Sequence, residues 1–259
     1  MLKTIAISSL SAACAILCAT AGSAAGERAR DTWEGLSARE NIDRVFDLDS
    51  TATVKISGLA GHVSVETGSG SRAEVHIVSA AGTEAELSCF RPVVTASAAS
   101  LAIAPSDNRD RRECRNIRAR QEARLILPRT VRLHVSGVAG RVDVGAMEGS
   151  VRLEGIAGRA HIASARSAEI SSIAGGVTLN VASTARDIRV SSTAGSVDLG
   201  FAQGANADVS VDSTLGRVTS LSPDIRLVRN NSGYRARVGS GGAPVRITST
   251  LGPVRLRRP

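Results

Sequence analysis

The chain has 259 residues, 42% of them hydrophobic and 2% aromatic, with 25 glycines and a formal charge of +8. That length can bury one sizeable core. The five aromatic residues (Trp33, Phe46, Phe90, Phe201 and Tyr234) are too few and too scattered for the stacking platforms of nucleic-acid or sugar binders.

The opening, MLKTIAISSLSAACAILCATAGSAAG, has a lysine, an apolar run and a small-residue exit, the layout of a secretory signal peptide. Ser23-Ala24-Ala25 places cleavage after Ala25, so residues 1–25 form the signal, with Ala21 or Ala24 as alternative sites. The run is short and thinned by Ser, Gly and Thr, which disfavours a membrane span, and no second apolar run follows. Neither Cys14 nor Cys18 has both a Leu three residues before it and a small residue directly before it, so a lipid anchor is not expected. The chain therefore reads as exported, to the periplasm or the cell surface. Residues 26–43 read as a linker or cap, and Ser37-Ala38-Arg39-Glu40 fits a capping box that would start one helical turn.

Residues 44–259 carry one nine-residue phrase seven times. The copies are SGLAGHVSV from Ser57, SGVAGRVDV from Ser136, EGIAGRAHI from Glu154, SSIAGGVTL from Ser171, SSTAGSVDL from Ser191, DSTLGRVTS from Asp212 and TSTLGPVRL from Thr248. From Ser136 to Asp212 the phrases start 18, 17, 20 and 21 residues apart. A period of 18–21 residues is too short for a helical hairpin and suits one coil of short strands. The last interval, 36, equals two such units, and the first, 79, is about four with an insertion.

Within DIRVSSTAGSVDL, Ile188, Val190, Ser192 and Ala194 share one parity, and after Gly195 the apolar parity moves by one to Val197 and Leu199. The same slip is expected at Gly140 and Gly175, as a corner or bulge requires. Ala139, Ala157, Ala174 and Ala194 are expected to point into a thin interior. Gly149 sits midway between Gly140 and Gly158, so a second side of the coil carries a Gly-x-Val-x-Leu element. The fold class is all-β: a single-stranded, parallel β-helix-like solenoid of roughly ten coils about 4.8 Å apart. A β-sandwich is the alternative, since it too alternates apolar and polar residues.

Two cysteines remain after signal cleavage. Cys89 and Cys114, in an oxidising compartment and without metal or redox spacing, read as a disulfide closing a loop of about 25 residues. The stretch of about 89–114 reads as a polar loop inserted into the stack, which accounts for the long first interval. It holds Arg109, Arg111 and Arg112, while the end of the chain, TSTLGPVRLRRP, holds Arg255, Arg257 and Arg258. Arginine supplies all but two of the 32 basic residues, so most of it is expected on solvated strand faces. These six arginines are the candidate contacts for an anionic partner, an envelope polysaccharide or glycolipid. Pro253 and the terminal arginines are also expected to protect an open edge of the stack.

The segment RVFDLDSTATVKISGLAGHVSVETGSG, from Arg44, and the segment ARLILPRTVRLHVSGVAGRVDVGAMEGSVRLEGIAGRAHI, from Ala123, resemble the entry and core of the bacterial putative adhesin family. The resemblance covers about residues 44–259. It implies an exported β-solenoid and supplies no catalytic residues.

No chemistry of catalysis stands out. His62, His76, His134 and His161 are single and should face solvent, and no metal-binding motif, cofactor motif or nucleophile elbow occurs. Asp143, Asp198 and Asp212 are outward and separated by coils, unlike the paired acids of a glycosidase. The expected function is a non-enzymatic structural or binding module of the bacterial envelope, adhesin-like, needing neither cofactor nor metal. It would contact an anionic glycan, a glycolipid or another envelope protein, but not nucleic acid. The alternatives are a carbohydrate-active β-helix enzyme and an envelope-stress sensing component.

Overall fold

The computed structural model describes residues 33, 35–106, 112–114, 117–231 and 233–258. The predicted signal segment, its cleavage sites and residues 26–32 and 34 of the linker lie outside the described residues. The chain divides into Met1–Glu34 and Gly35–Pro259, and every element described below belongs to the second unit.

Among the described residues the protein is all-β, with one short α-helix and one 3-10 turn. Its strands form two series. In the first, the spatial order is β5 (Pro92–Ser97), β6 (Ser100–Pro105), β2 (Thr53–Ser57), β8 (Arg132–Ser136), the second half of β9 (Ala139–Glu154), the second half of β10 (Ala157–Ala174), β12 (Asp187–Ala194), β18 (Ala243–Leu251), β14 (Ala207–Leu215), β17 (Gly233–Val238) and β16 (Arg226–Asn230). In the second, the order is β1 (Ala38–Asp47), β4 (Arg72–Ala81), β7 (Ala119–Pro128), β3 (Ala60–Gly68), the first halves of β9 and β10, β11 (Val177–Val181), β13 (Val197–Phe201), β19 (Val254–Arg257) and β15 (Val218–Ser220). The middle of each series is parallel and only the outermost pairings are antiparallel.

The phrase copies stack in register. Val63, Val142, Ala160, Val177, Val197, Val254 and Val218 form one buried row; Val65, Val144, Ile162, Leu179, Leu199 and Leu256 form the next. On the other series Val54, Leu133, Val151, Ala168, Ile188, Val245 and Val209 align in the same way. Side chains of both series share the main core, and Ala38, Ala81 and Leu87 form a smaller cluster of their own. Gly149, as its spacing suggests, opens the first-series half of β9, where Val151 and Leu153 turn inward.

The invariant glycine of the phrase has a steric cause. A Cβ on Gly140 would lie 1.9 Å from the carbonyl oxygen of Gly61. The same contact recurs from Gly158 to Gly140 (1.9 Å), Gly175 to Gly158 (1.7 Å), Gly195 to Gly175 (1.9 Å), Gly252 to Gly195 (2.0 Å) and Gly216 to Gly252 (1.9 Å). Each glycine rests on the one before it, close enough for Cα–H···O contact and too close for any side chain.

The corner itself comes in two forms. In the first four copies, the residue three places before the ladder glycine is left-handed: Gly58 (φ 66°), Gly137 (φ 60°), Gly155 (φ 64°) and Ser172 (φ 56°). The next residue, Leu59, Val138, Ile156 or Ile173, is then buried. In the last three copies that next residue is Thr193, Thr214 or Thr250, which points out, and the preceding serine (Ser192 and Ser249) is buried instead. The parity slip thus falls at Gly195 as expected, but at Gly137 and Ser172 rather than at Gly140 and Gly175. The corner alanines do not fill the interior: Ala139, Ala157 and Ala174 are exposed, because the apolar residue before each takes the inward position.

Four further expectations are corrected. Ser37–Glu40 starts no helix: Ala38 opens β1, paired antiparallel to β4, and the Ser37 hydroxyl donates to the Gly82 carbonyl at 2.6 Å. The capping box lies instead at Thr83 and Glu86, at the start of α1 (Glu84–Phe90). The stretch 89–114 is not a loop thrown out of the stack, since β5 and β6 form a hairpin whose Leu101 and Ile103 are fully buried and whose β6 pairs parallel to β2. The 79-residue interval adds nothing between the first two phrases, because β2 pairs β8 and β3 pairs β9 directly. Finally, the last phrase is not at an edge. β18 lies between β12 and β14, and β19 lies between β13 and β15, so the copy from Thr248 fills a slot between those from Ser191 and Asp212. The β16–β17 hairpin, which occupies the 36-residue interval, caps β14 from outside.

Cys89 of α1 and Cys114 form the disulfide, with Cα atoms 5.6 Å apart. Beside it the buried Gln121 donates to the Phe90 carbonyl (2.6 Å) and accepts from the Ala60 amide (3.1 Å), tying α1 to the start of the glycine ladder.

Candidate functional site

Alternation sends every second side chain of each strand outward, so in-register stacking places outward residues in rows about 4.8 Å apart. Several of the charges on these rows are internally matched. Asp198 receives Arg255 at 3.2 Å, Asp187 receives Arg189 at 2.6 Å and Arg246 at 3.5 Å, and Glu169 receives Arg152 at 3.2 Å. His62 bonds Asp143 at 2.7 Å, His76 bonds Asp43, and His134 stands 3.8 Å from Glu154. These histidines are outward, partly exposed and each beside a single acid. Among the described residues no group of three His, Cys, Asp or Glu is arranged to hold a metal ion.

The six arginines singled out from the sequence do not converge. Arg109 and Arg111 lie outside the described residues. Arg112 opens the turn Arg112–Cys114, which the disulfide ties to α1 and so to β1, β4 and β7. Arg255 and Arg257 are on β19, separated from β7 by β3, β9, β10, β11 and β13, about 29 Å at ~4.8 Å per strand. Arg258 is held by Asp224 at 2.7 Å, and its amide donates to the Ser222 hydroxyl at 2.7 Å.

A different group of arginines does converge. On the outer face of the first series, β18, β14, β17 and β16 form a cleft of about 700 Å³ lined by Asp208, Ser210, Asp224, Arg226, Val228, Arg235, Arg237, Pro244 and Arg246. Arg246 and Arg235 stand on the two strands flanking Ser210. Arg226 faces Arg237 across β16 and β17. Asp208 is committed at both oxygens, one to Arg237 (3.2 Å) and one to the Gly242 amide (3.0 Å). Asp224 is committed to Arg258. Sequence order conceals this cleft, because the insertion of β18 beside β14 brings Arg246 next to strands that precede it in the chain. The run of eight arginines without an acid after Asp224 was the available signal.

The cleft's two acids and several arginines have the composition of a polysaccharide-cleaving site. The geometry differs, since those enzymes need one carboxyl to give a proton while the other faces the substrate. Here both carboxylates are arginine partners that hold strands and turns in place.

No family model matches the chain, and no match is found among curated proteins. Among solved structures it is similar to a putative cell adhesion protein from Clostridium sporogenes ATCC 15579, at 10% identity and a TM-score of 0.46, over 86% of this chain and 100% of that one. It is also similar to a putative adhesin from Bacteroides fragilis NCTC 9343, at 11% identity and a TM-score of 0.38, over 84% and 97%. A third is a putative lipid binding protein from Parabacteroides distasonis ATCC 8503, at 12% identity and a TM-score of 0.29, over 85% and 97%. Bacterial proteins named as adhesins are thus among the structures this chain is similar to.

Proposed function

We propose that the protein is an exported, non-enzymatic β-solenoid that serves as a binding module of the bacterial envelope. The observation that carries this reading is the in-register stack itself. Seven copies of one phrase lock onto each other through the glycine ladder and give rigid outer faces on which charged side chains recur at strand spacing. A face of that kind recognises an extended, repetitive, charged partner, as an envelope glycan or glycolipid is, without the mobile lid or proton-sharing acids an enzyme would need. The export reading rests on residues 1–25, with a mature chain of a short N-terminal segment followed by the repeat domain.

Within this reading Arg109, Arg111 and Arg112, and separately Arg255, Arg257 and Arg258, contact anionic material. The test is co-sedimentation of the mature protein with isolated envelope fractions at rising salt. Retention that falls as salt rises, and falls further when Arg255 and Arg257 become Gln, is the expected result. Retention equal to that of an unrelated protein of the same charge would refute it. N-terminal sequencing of the protein recovered from cells should begin at Gly26.

A further inference from the structure

We propose that the arginine cleft on β14, β16, β17 and β18 is a binding site for a phosphate ester carried on a sugar-sized group. The inference rests on the binding-module reading and gives it a specific site. Guanidinium groups donate in planar forks that fit the oxygens of a phosphate, and two forks closing from opposite sides on one anion need anchor points about two strands apart. Arg246 and Arg235 have that placement, one strand to either side of Ser210, whose small side chain leaves the floor open and offers a hydroxyl.

The charges in the cleft leave Arg226 and Arg235 for a ligand, with Arg246 only loosely held. Arg237 is taken by Asp208, and Arg246 reaches Asp187 only at the long distance of 3.5 Å. Among the described residues neither Arg226 nor Arg235 has an acidic partner. Arg226 lies directly opposite Arg237, whose charge Asp208 already balances, so Arg226 is the cation of that row left for an added anion. A volume of about 700 Å³ far exceeds a bare phosphate and falls in the range of small-molecule sites. The exposed Val228 and the half-buried Pro244 give the rest of the ligand apolar walls, which suits the carbon faces of a sugar ring better than a second anion.

The experiment is titration calorimetry with glucose 1-phosphate and, separately, sedimentation with phosphatidylcholine vesicles containing phosphatidic acid. Glucose and pure phosphatidylcholine vesicles are the controls. The wild-type protein is expected to bind at least one of the two phosphate monoesters in a salt-dependent manner and neither control. Binding of the soluble ester alone assigns the site to free glycan phosphates, and binding of the vesicles assigns it to lipid headgroups. The Arg226→Gln/Arg235→Gln variant should lose at least tenfold in affinity, and Arg255→Gln/Arg257→Gln, on the other series, less than twofold. Circular dichroism confirms that both variants fold. Wild-type binding to neither ester, or equal binding by the cleft variant, overturns the inference. If envelope retention persists unchanged in the cleft variant, the site is wrong while the module reading stands; if the wild type shows no envelope retention, the module reading itself falls.

Discussion

Replacing Gly158 with alanine probes the ladder at its centre. The new methyl carbon would lie 1.9 Å from the Gly140 oxygen and 2.7 Å from its carbonyl carbon, and φ at this position is 150°. A carbon–oxygen contact normally needs about 3.3 Å, so the backbone must open by more than 1 Å or the strand pairing must shift. Overpacking of this kind costs about 1–3 kcal/mol or more, and the unfavourable φ adds about 1–3 kcal/mol. The expected loss is about 4 kcal/mol, a large part of the ~5–15 kcal/mol that holds a domain folded. At ~2–4 °C per kcal/mol for a domain of this size, the Tm should fall by about 8–16 °C. Gly204 supplies the control. It has φ 75° and nothing within 4 Å of where a Cβ would sit, so Gly204→Ala carries only the backbone cost of about 1–2 kcal/mol. Both variants are compared with wild type by urea unfolding followed by far-UV circular dichroism. Equal losses for the two would show that the close approach along the ladder is not real.

Three other substitutions test separate parts of the stack. Ser172 adopts the left-handed conformation that glycine takes at the three equivalent corners, so Ser172→Gly should stabilise by about 1 kcal/mol, and a loss of stability in the same urea assay would contradict the corner geometry. Ser249 is fully buried and its hydroxyl has no hydrogen-bond partner among the described residues, so Ser249→Ala should raise stability by about 1 kcal/mol; a decrease would mean the hydroxyl is satisfied. Gln121→Leu removes the side-chain hydrogen bonds to the part-buried Ala60 amide and Phe90 carbonyl and should cost about 2 kcal/mol, seen as a shift in the urea midpoint without a change in slope.

The recurrence of glycine at coil-length intervals made the stacking legible in the sequence, because only close backbone approach demands that residue at every copy. The disulfide was equally legible, as two cysteines remain once the signal segment is set aside. The two corner forms were also encoded: an apolar residue before the alanine (Ile156, Ile173) marks the left-handed corner, and threonine (Thr193, Thr250) marks the extended one. Judging inward positions by parity alone missed this and turned the alanines inward. The slot filled by β18 and β19 was not legible. Val209 and Val211 of β14 present the same inward pattern as Val245 and Ile247 of β18, so either strand could have paired with β12. The arginine cleft depends on that choice and was hidden with it. The capping box failed at Ser37 because pairing of Ala38–Asp47 with the whole of β4 outweighs one helical turn.

The most direct test of the account is backbone NMR of the folded domain. Cross-strand contacts should join Val190 to Ile247 and Ile247 to Val211, with none between Val190 and Val211, and the α-protons of Gly158 should lie beside Gly140 on one side and Gly175 on the other. Direct contacts between Val190 and Val211, or ladder glycines that see only their own strands, would contradict both the stacking order and the fold built on it.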